Sequence, residues 1–192
     1  MVQIDSNEVR VTGENSFIRL AQQEGGEFTT RASHWRVFYS PAGVGHALFL
    51  LTEVTDTPIT VYADNEDVAR WLQEEIESML YPAFADTSLP IVKAAFERGG
   101  DVRGTAIETV KGEGVDILMS WSNVLDPFPM HVPPGVNGRS HGVYSVFFPA
   151  REASLAVNGK RASGSPQRDD RGGRESMSAV LAWAESWVRP RG

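Results

Sequence analysis

Two stretches of this 192-residue chain place an arginine and a Ser-His pair directly before a run of β-branched and aromatic residues. The first is Arg31-Ala32-Ser33-His34-Trp35-Arg36-Val37-Phe38-Tyr39-Ser40-Pro41-Ala42; the second is Arg139-Ser140-His141-Gly142-Val143-Tyr144-Ser145-Val146-Phe147-Phe148-Pro149-Ala150. They align with one-residue gaps, and both close on Pro-Ala. An imidazole takes and gives protons near neutral pH, and a guanidinium holds a carboxylate or enolate oxygen through paired hydrogen bonds. If the copies are equivalent strand starts facing one rim, His34 and His141 become proton-transfer groups, and Arg31 and Arg139 orient an oxygenated substrate. The competing reading is that all four are polar residues capping backbone groups at strand ends, and that the similarity is chance.

Other side chains add to this constellation. His131 lies in a stretch stiffened by Pro127, Pro129, Pro133 and Pro134, and such a loop over a barrel mouth can carry a functional group. His46 opens an apolar strand and reads as structural. Trp35, Tyr39 and Trp121 would wall a substrate pocket, although aromatic residues serve cores equally well. A mononuclear metal centre from His34, His131 and His141, with Asp116 or Glu108, is chemically suitable. No HxH or HxxxH spacing sets two ligands on one element, so no cofactor is expected. Gly138-Arg139-Ser140-His141-Gly142 has the GxSxG form, but a nucleophile elbow needs a buried strand before the serine and a helix after it. Here a Pro/Gly loop precedes and a β-run follows.

The elements that must position these groups are mostly strands. Trp35 to Tyr39, His46 to Glu53 and Ile59 to Tyr62 read as three, the first two joined by a Pro-Gly turn. Asp64-Asn65-Glu66-Asp67 then supplies an N-cap and acidic first-turn residues. Val68, Trp71, Leu72, Ile76, Met79 and Leu80 recur at helical spacing, so an amphipathic helix over about 65–80 packs on or plugs the sheet. Ile91 to Arg98, Arg103 to Val110 and Val115 to Trp121 follow as strands, the last with strict alternation. Gly142 to Phe148 and Glu152 to Val157 continue the series, ending at Asn158-Gly159, a type I′ hairpin signal.

Residues 1–30 are polar and read as an N-terminal arm or edge strand, and 161–175 as a mobile loop. Ser176 to Val188 fits both periods; closing an open sheet edge tips it toward strand. The chain thus reads as a single domain: mainly β, a single antiparallel barrel or strongly curved sheet, lipocalin-like in architecture, with one helix. A two-sheet β-sandwich is the runner-up.

Bulk properties narrow the function. A net charge of -7 with no basic face speaks against nucleic-acid binding. All but Lys93, Lys111 and Lys160 of the 18 basic residues are arginine. With no cysteine, thiolate chemistry is excluded. No apolar stretch approaches a membrane span and the N-terminus lacks a signal-peptide pattern, so a cytoplasmic protein is expected, with no membrane partner. The expected partner is a small-molecule ligand, homo-oligomerisation being compatible. The leading expectation is a cofactor-free acid–base enzyme, of isomerase, lyase or hydratase type, acting on a small oxygenated metabolite. A non-catalytic ligand carrier, or an accessory subunit docking through Trp183 and Trp187, are the alternatives.

Overall fold

A computed structural model describes residues 7–191. Thirteen strands are present among them: β1 Asn7–Ala21, β2 Phe28–Tyr39, β3 Gly45–Leu51, β4 Ile59–Ala63, β5 Ile91–Gly100, β6 Thr105–Gly112, β7 Val115–Val124, β8 Phe128–Val132, β9 Gly142–Val157, β10 Lys160–Arg161, β11 Arg168–Asp170, β12 Glu175–Met177 and β13 Ala179–Pro190. Nine of them form a ring in the order β9-β13-β1-β2-β3-β4-β5-β6-β7, and the pairing of β7 with β9 closes it. The fold is therefore a closed β-barrel with one helix.

Alternation decides what lies on each side of the wall. Ile18, Leu20, Leu48, Leu50, Val110, Ile117, Met119, Trp121, Leu155 and Leu181 fill the interior. Their neighbours Trp35, Phe49, Val61, Val143 and Trp187 face outward, and there they meet the helix residues Val68, Ala69, Leu72 and Ile76. The helix lies on the outside of the barrel and does not plug it. Its N-terminus is fixed by Asn65, whose side chain accepts from the Asp67 and Val68 amides and donates to the Val44 carbonyl.

This helix, α1, runs as Glu66–Leu72, then a π turn Gln73–Glu77, then Ser78–Leu80. The buried face continues from Leu72 and Gln73 to Ile76 and Glu77, while Trp71, Met79 and Leu80 of the sequence stripe are only half-buried. Gln73 is satisfied inside by donating to the Phe84 and Asp86 carbonyls. Glu77 is the consequential one, because it carries a carboxyl group into the interface.

Several expectations need correction. Residues 7–21 are neither an arm nor an edge: β1 pairs with β13 on one side and β2 on the other. Residues 1–6 lie outside the described residues. The barrel is not wholly antiparallel, since α1 is a crossover and β4 and β5 run parallel, as a helical connection permits. Within 161–175 a short pair, β11 with β12, forms around Asp170 and Glu175. The strand reading of 176–188 holds for β13, which supplies the second partner of β1, while Ser176 and Met177 belong to β12 and the chain breaks strand at Ser178.

Two irregularities shape the strands β1 and β13. On β1, Gly13 sits where a Cβ would come within 2.2 Å of the Arg36 carbonyl oxygen, so only glycine fits. On β13 the register slips between Trp183 and Ser186, and Ala184 between them has φ +52°. The slip is a bulge, and a bulge reverses which face the following residues occupy. Leu181 and Trp183 pack with the interior cluster, but Trp187, at the same parity, packs outside and Glu185 follows it. Ala184 is exposed, so Ala184→Gly should relieve the left-handed backbone without losing a contact. We expect stability unchanged or raised by up to about 1 kcal/mol, read by urea unfolding; a clear loss would mean the bulge does not hold that conformation.

Candidate functional site

The bulge and the π turn deliver their carboxylates to the same place. A cavity of about 180 Å³ lies outside the barrel, between the end of α1 and the β8 segment. Its floor is the outer face of β1, β2, β9 and β13, carrying Phe17, Ser33, Val143, Phe147 and Trp187. Leu80, Tyr81 and Phe84 close one side, and Met130 and Val132 of β8 close the other. Arg19, Arg31, Arg139 and Arg171 all line it, together with Glu77 and Glu185.

The arginines are unevenly satisfied. Arg171 pairs with Asp169 at 2.7 Å. Among the described residues Arg19, Arg31 and Arg139 have no carboxylate within ion-pair distance. Arg31 lies 4.2 Å from the Tyr81 ring centroid and 5.0 Å from that of Phe28, and its buried Nε has no hydrogen-bond partner. Burial, reinforced by the charges of Arg31 and Arg171, brings the Arg19 pKa down to about 10. An anion among these cations would relieve the repulsion on Arg19.

Both carboxyl groups are almost wholly buried, Glu77 at 1% and Glu185 at 4% exposure. Glu77 Oε1 accepts from Ser33 Oγ at 2.5 Å and Trp35 Nε1 at 2.6 Å. Burial still outweighs these donors and raises its pKa, with Arg19 opposing. Glu185 Oε1 accepts from Trp187 Nε1 at 2.6 Å. Burial pushes its pKa up to about 8, and the Glu77 charge adds to the effect. The arrangement at neutral pH is one protonated carboxyl facing a site that holds guanidinium groups and a second carboxyl.

The residues singled out in the sequence are dispersed relative to this cavity. Arg31 and Arg139, the arginines of the two near-repeat copies, do converge on it. Their histidines do not. His34 points into the barrel, its ring centroid 5.5 Å from Phe96 and 6.3 Å from His46. It is buried with no partner for Nε2, and burial followed by the charges of His46, Arg98 and Arg36 lowers its pKa to about 3. His141 lies on the outer side, with Nε2 3.0 Å from Glu75 Oε1 and Nδ1 2.9 Å from Ser140 Oγ. The strand wall separates the two imidazoles, so they form no shared site; equivalent sequence positions were met by opposite faces.

Trp35 reaches the site through its bond to Glu77, whereas Trp121 is an interior residue donating to the Phe17 carbonyl. Tyr39 is 51% exposed at the end of β2. His131 is exposed and stacks on Tyr144 at 4.2 Å. His46 is held by Asp64 through both its ring and its backbone amide. His34, His131 and His141 therefore occupy three separate environments, and among the described residues no group of three or more His, Asp or Glu side chains is placed to hold a metal ion. Among the same residues no helix is long and apolar enough to cross a membrane.

Sequence reasoning passed over Arg19, Glu77 and Glu185. A signal existed for two of them: Arg19 is the only charge in Ser16–Ala21, and Glu185 the only one in Ser176–Val188. A lone charge inside an apolar strand must either face water or enter a site. Glu77 gave no such sign, since it sits among Glu74, Glu75 and Ser78. Comparison of the chain with protein-family models and with curated proteins finds no match.

Proposed function

We propose that this protein binds a small oxygenated organic anion in the cavity between α1, β8 and the barrel wall, and acts on it by acid–base chemistry. The observation that carries the reading is the convergence of Arg19, Arg31 and Arg139, none with a carboxylate partner among the described residues, on a cavity that also contains two buried carboxyl groups. Planar guanidinium groups match carboxylate geometry, and buried titratable groups with displaced pKa values gather at functional sites. A cavity of roughly 150 Å³ holds a benzene-sized molecule, so the volume here suits a compact apolar body with a short anionic head.

The apolar side of the cavity supports a second reading, a non-catalytic carrier using the same arginines. Phe17, Phe147, Val143, Met130 and Phe84 line it alongside the charged groups, and ligand pockets of this composition bind without reacting.

Both readings require the arginines. Titration calorimetry with a panel of small aromatic and branched carboxylates should show saturable binding, and Arg31→Met should weaken it by about 10- to 100-fold, the cost of losing a charge-assisted hydrogen bond. Binding that is equal in the wild type and in Arg19→Met and Arg31→Met proteins would place the ligand elsewhere.

A further inference from the structure

We propose that the cavity takes a short oxo carboxylate, and that Glu77 and Glu185 move a proton between its carbon and its carbonyl oxygen. The inference rests on the anion-binding reading. Its starting point is that two buried carboxyl groups reach one cavity from unrelated elements, Glu77 from the π turn of α1 and Glu185 from the bulge of β13.

Their surroundings divide the labour. Glu77 takes two donated hydrogen bonds on Oε1, while Oε2 receives none from the described residues. The two donors and the Arg19 charge oppose the burial that raises its pKa, and a carboxylate formed there is a stronger base than an ordinary one. Glu185 accepts from the Trp187 indole, but its burial and the Glu77 charge beside it hold its proton at neutral pH. With Glu77 as the partner that gives up its proton and Glu185 as the one that keeps it, two carboxyl groups on one cavity make a base and an acid.

The chemistry of the ligand follows from what such a pair can do. Protons on oxygen and nitrogen exchange without help, so a placed base is useful for a proton on carbon. A C–H bond beside a carbonyl group is acidic enough for such a base, and the carboxylate head answers to Arg19, Arg31 and Arg139. In the step, the Glu77 carboxylate takes the proton from the carbon next to the carbonyl. The C–H electron pair becomes the C=C bond, the carbonyl π pair moves to oxygen, and that oxygen takes the Glu185 proton. The product is the enol, with Glu77 protonated and Glu185 ionised; reversal, with Glu77 returning a proton to the same carbon and Glu185 taking back the enol proton, restores both groups.

The test is deuterium exchange in D₂O followed by ¹H NMR, with 2-oxobutyrate and phenylpyruvate as probes and benzoate, which cannot enolise, as the binding control. Wild-type protein should speed loss of the C3 proton signals over buffer, and Glu77→Gln and Glu185→Gln should each reduce that rate by about 100-fold or more. Benzoate binding by calorimetry should persist in both variants, which also reports that they are folded. If benzoate binds but neither probe exchanges faster than in buffer, or if both variants exchange as fast as wild type, the proton-transfer proposal fails and anion binding stands. If neither benzoate nor the probes bind, both fail. Should Glu77→Gln not fold, Glu185→Gln carries the same comparison alone.

Discussion

Glu185→Gln is expected to make the protein more stable at neutral pH. The folded chain holds this carboxyl near a pKa of about 8, against an ordinary value of 4.5. Between those values the folded state keeps a proton that the unfolded state has released, so stability falls as pH rises through that window. The full accumulation to pH 7 is on the order of 3 kcal/mol, at about 1.4 kcal/mol per unit. Glutamine keeps an oxygen for the Trp187 indole but brings an amide donor that needs a partner, which returns about 1 kcal/mol. A net gain of about 2 kcal/mol at pH 7 should appear in urea unfolding, and near pH 4, where glutamate is largely neutral in both states, it should turn into a loss of about 1 kcal/mol from the amide alone. Equal gains at both pH values would show that packing, not ionisation, is responsible. A group that destabilises its own fold at working pH is what a functional site commonly contains.

The mirror effect belongs to His34. Its folded pKa of about 3 lies below the ordinary 6.5, so the unfolded state binds a proton that the folded state refuses. Stability is lost as pH falls from 6.5 toward 3, again by about 1.4 kcal/mol per unit. His34→Phe keeps the stack on Phe96 and removes both the titration and the orphaned Nε2. It should leave pH 7 stability within about 1 kcal/mol of wild type, given the slightly larger ring, and raise it by about 3 kcal/mol at pH 4. Unchanged acid sensitivity in this variant would locate the acid-labile group elsewhere. The two residues together place the most stable range between 4.5 and 6.5, where the loss from Glu185 and the recovery of His34 oppose each other. The raised Glu77 and Glu108 add to the decline on the alkaline side.

Much of the barrel was legible because its strands alternate cleanly. Ile117, Met119 and Trp121 mark the interior face of β7, and Asn158 and Gly159 turn at φ +51° and +78°, as a type I′ hairpin requires. The capped helix was equally plain. What escaped was everything that depends on phase or on the far side of the wall. β1 looked like a polar arm because Glu14 and Ser16 point into the barrel, where Glu14 meets Arg98, itself bonded to Glu108. The site escaped because the sequence alternation Leu181, Trp183, Glu185, Trp187 implies one face, and the bulge at Ala184 divides it between two. Parity carries His34 inward while the second copy's His141 faces out, so a local likeness of sequence carried no likeness of place. Only the arginines, with long side chains, kept a common destination.

Barrel closure also sets an order in time. Among the described residues β1 obtains its second partner only from β13, about 160 residues further along, and β7 is sealed by β9. During synthesis the Asn7–Ala21 strand therefore waits with one row of amides and carbonyls unpaired until residues 179–190 have left the ribosome. Long-range pairing of this kind is slow, and an open strand edge is a template for pairing with other chains. The cavity shares that delay, because Glu185 and Trp187 arrive on the strand that closes the ring. A chain truncated before β13 would lose its barrel and its ligand site together.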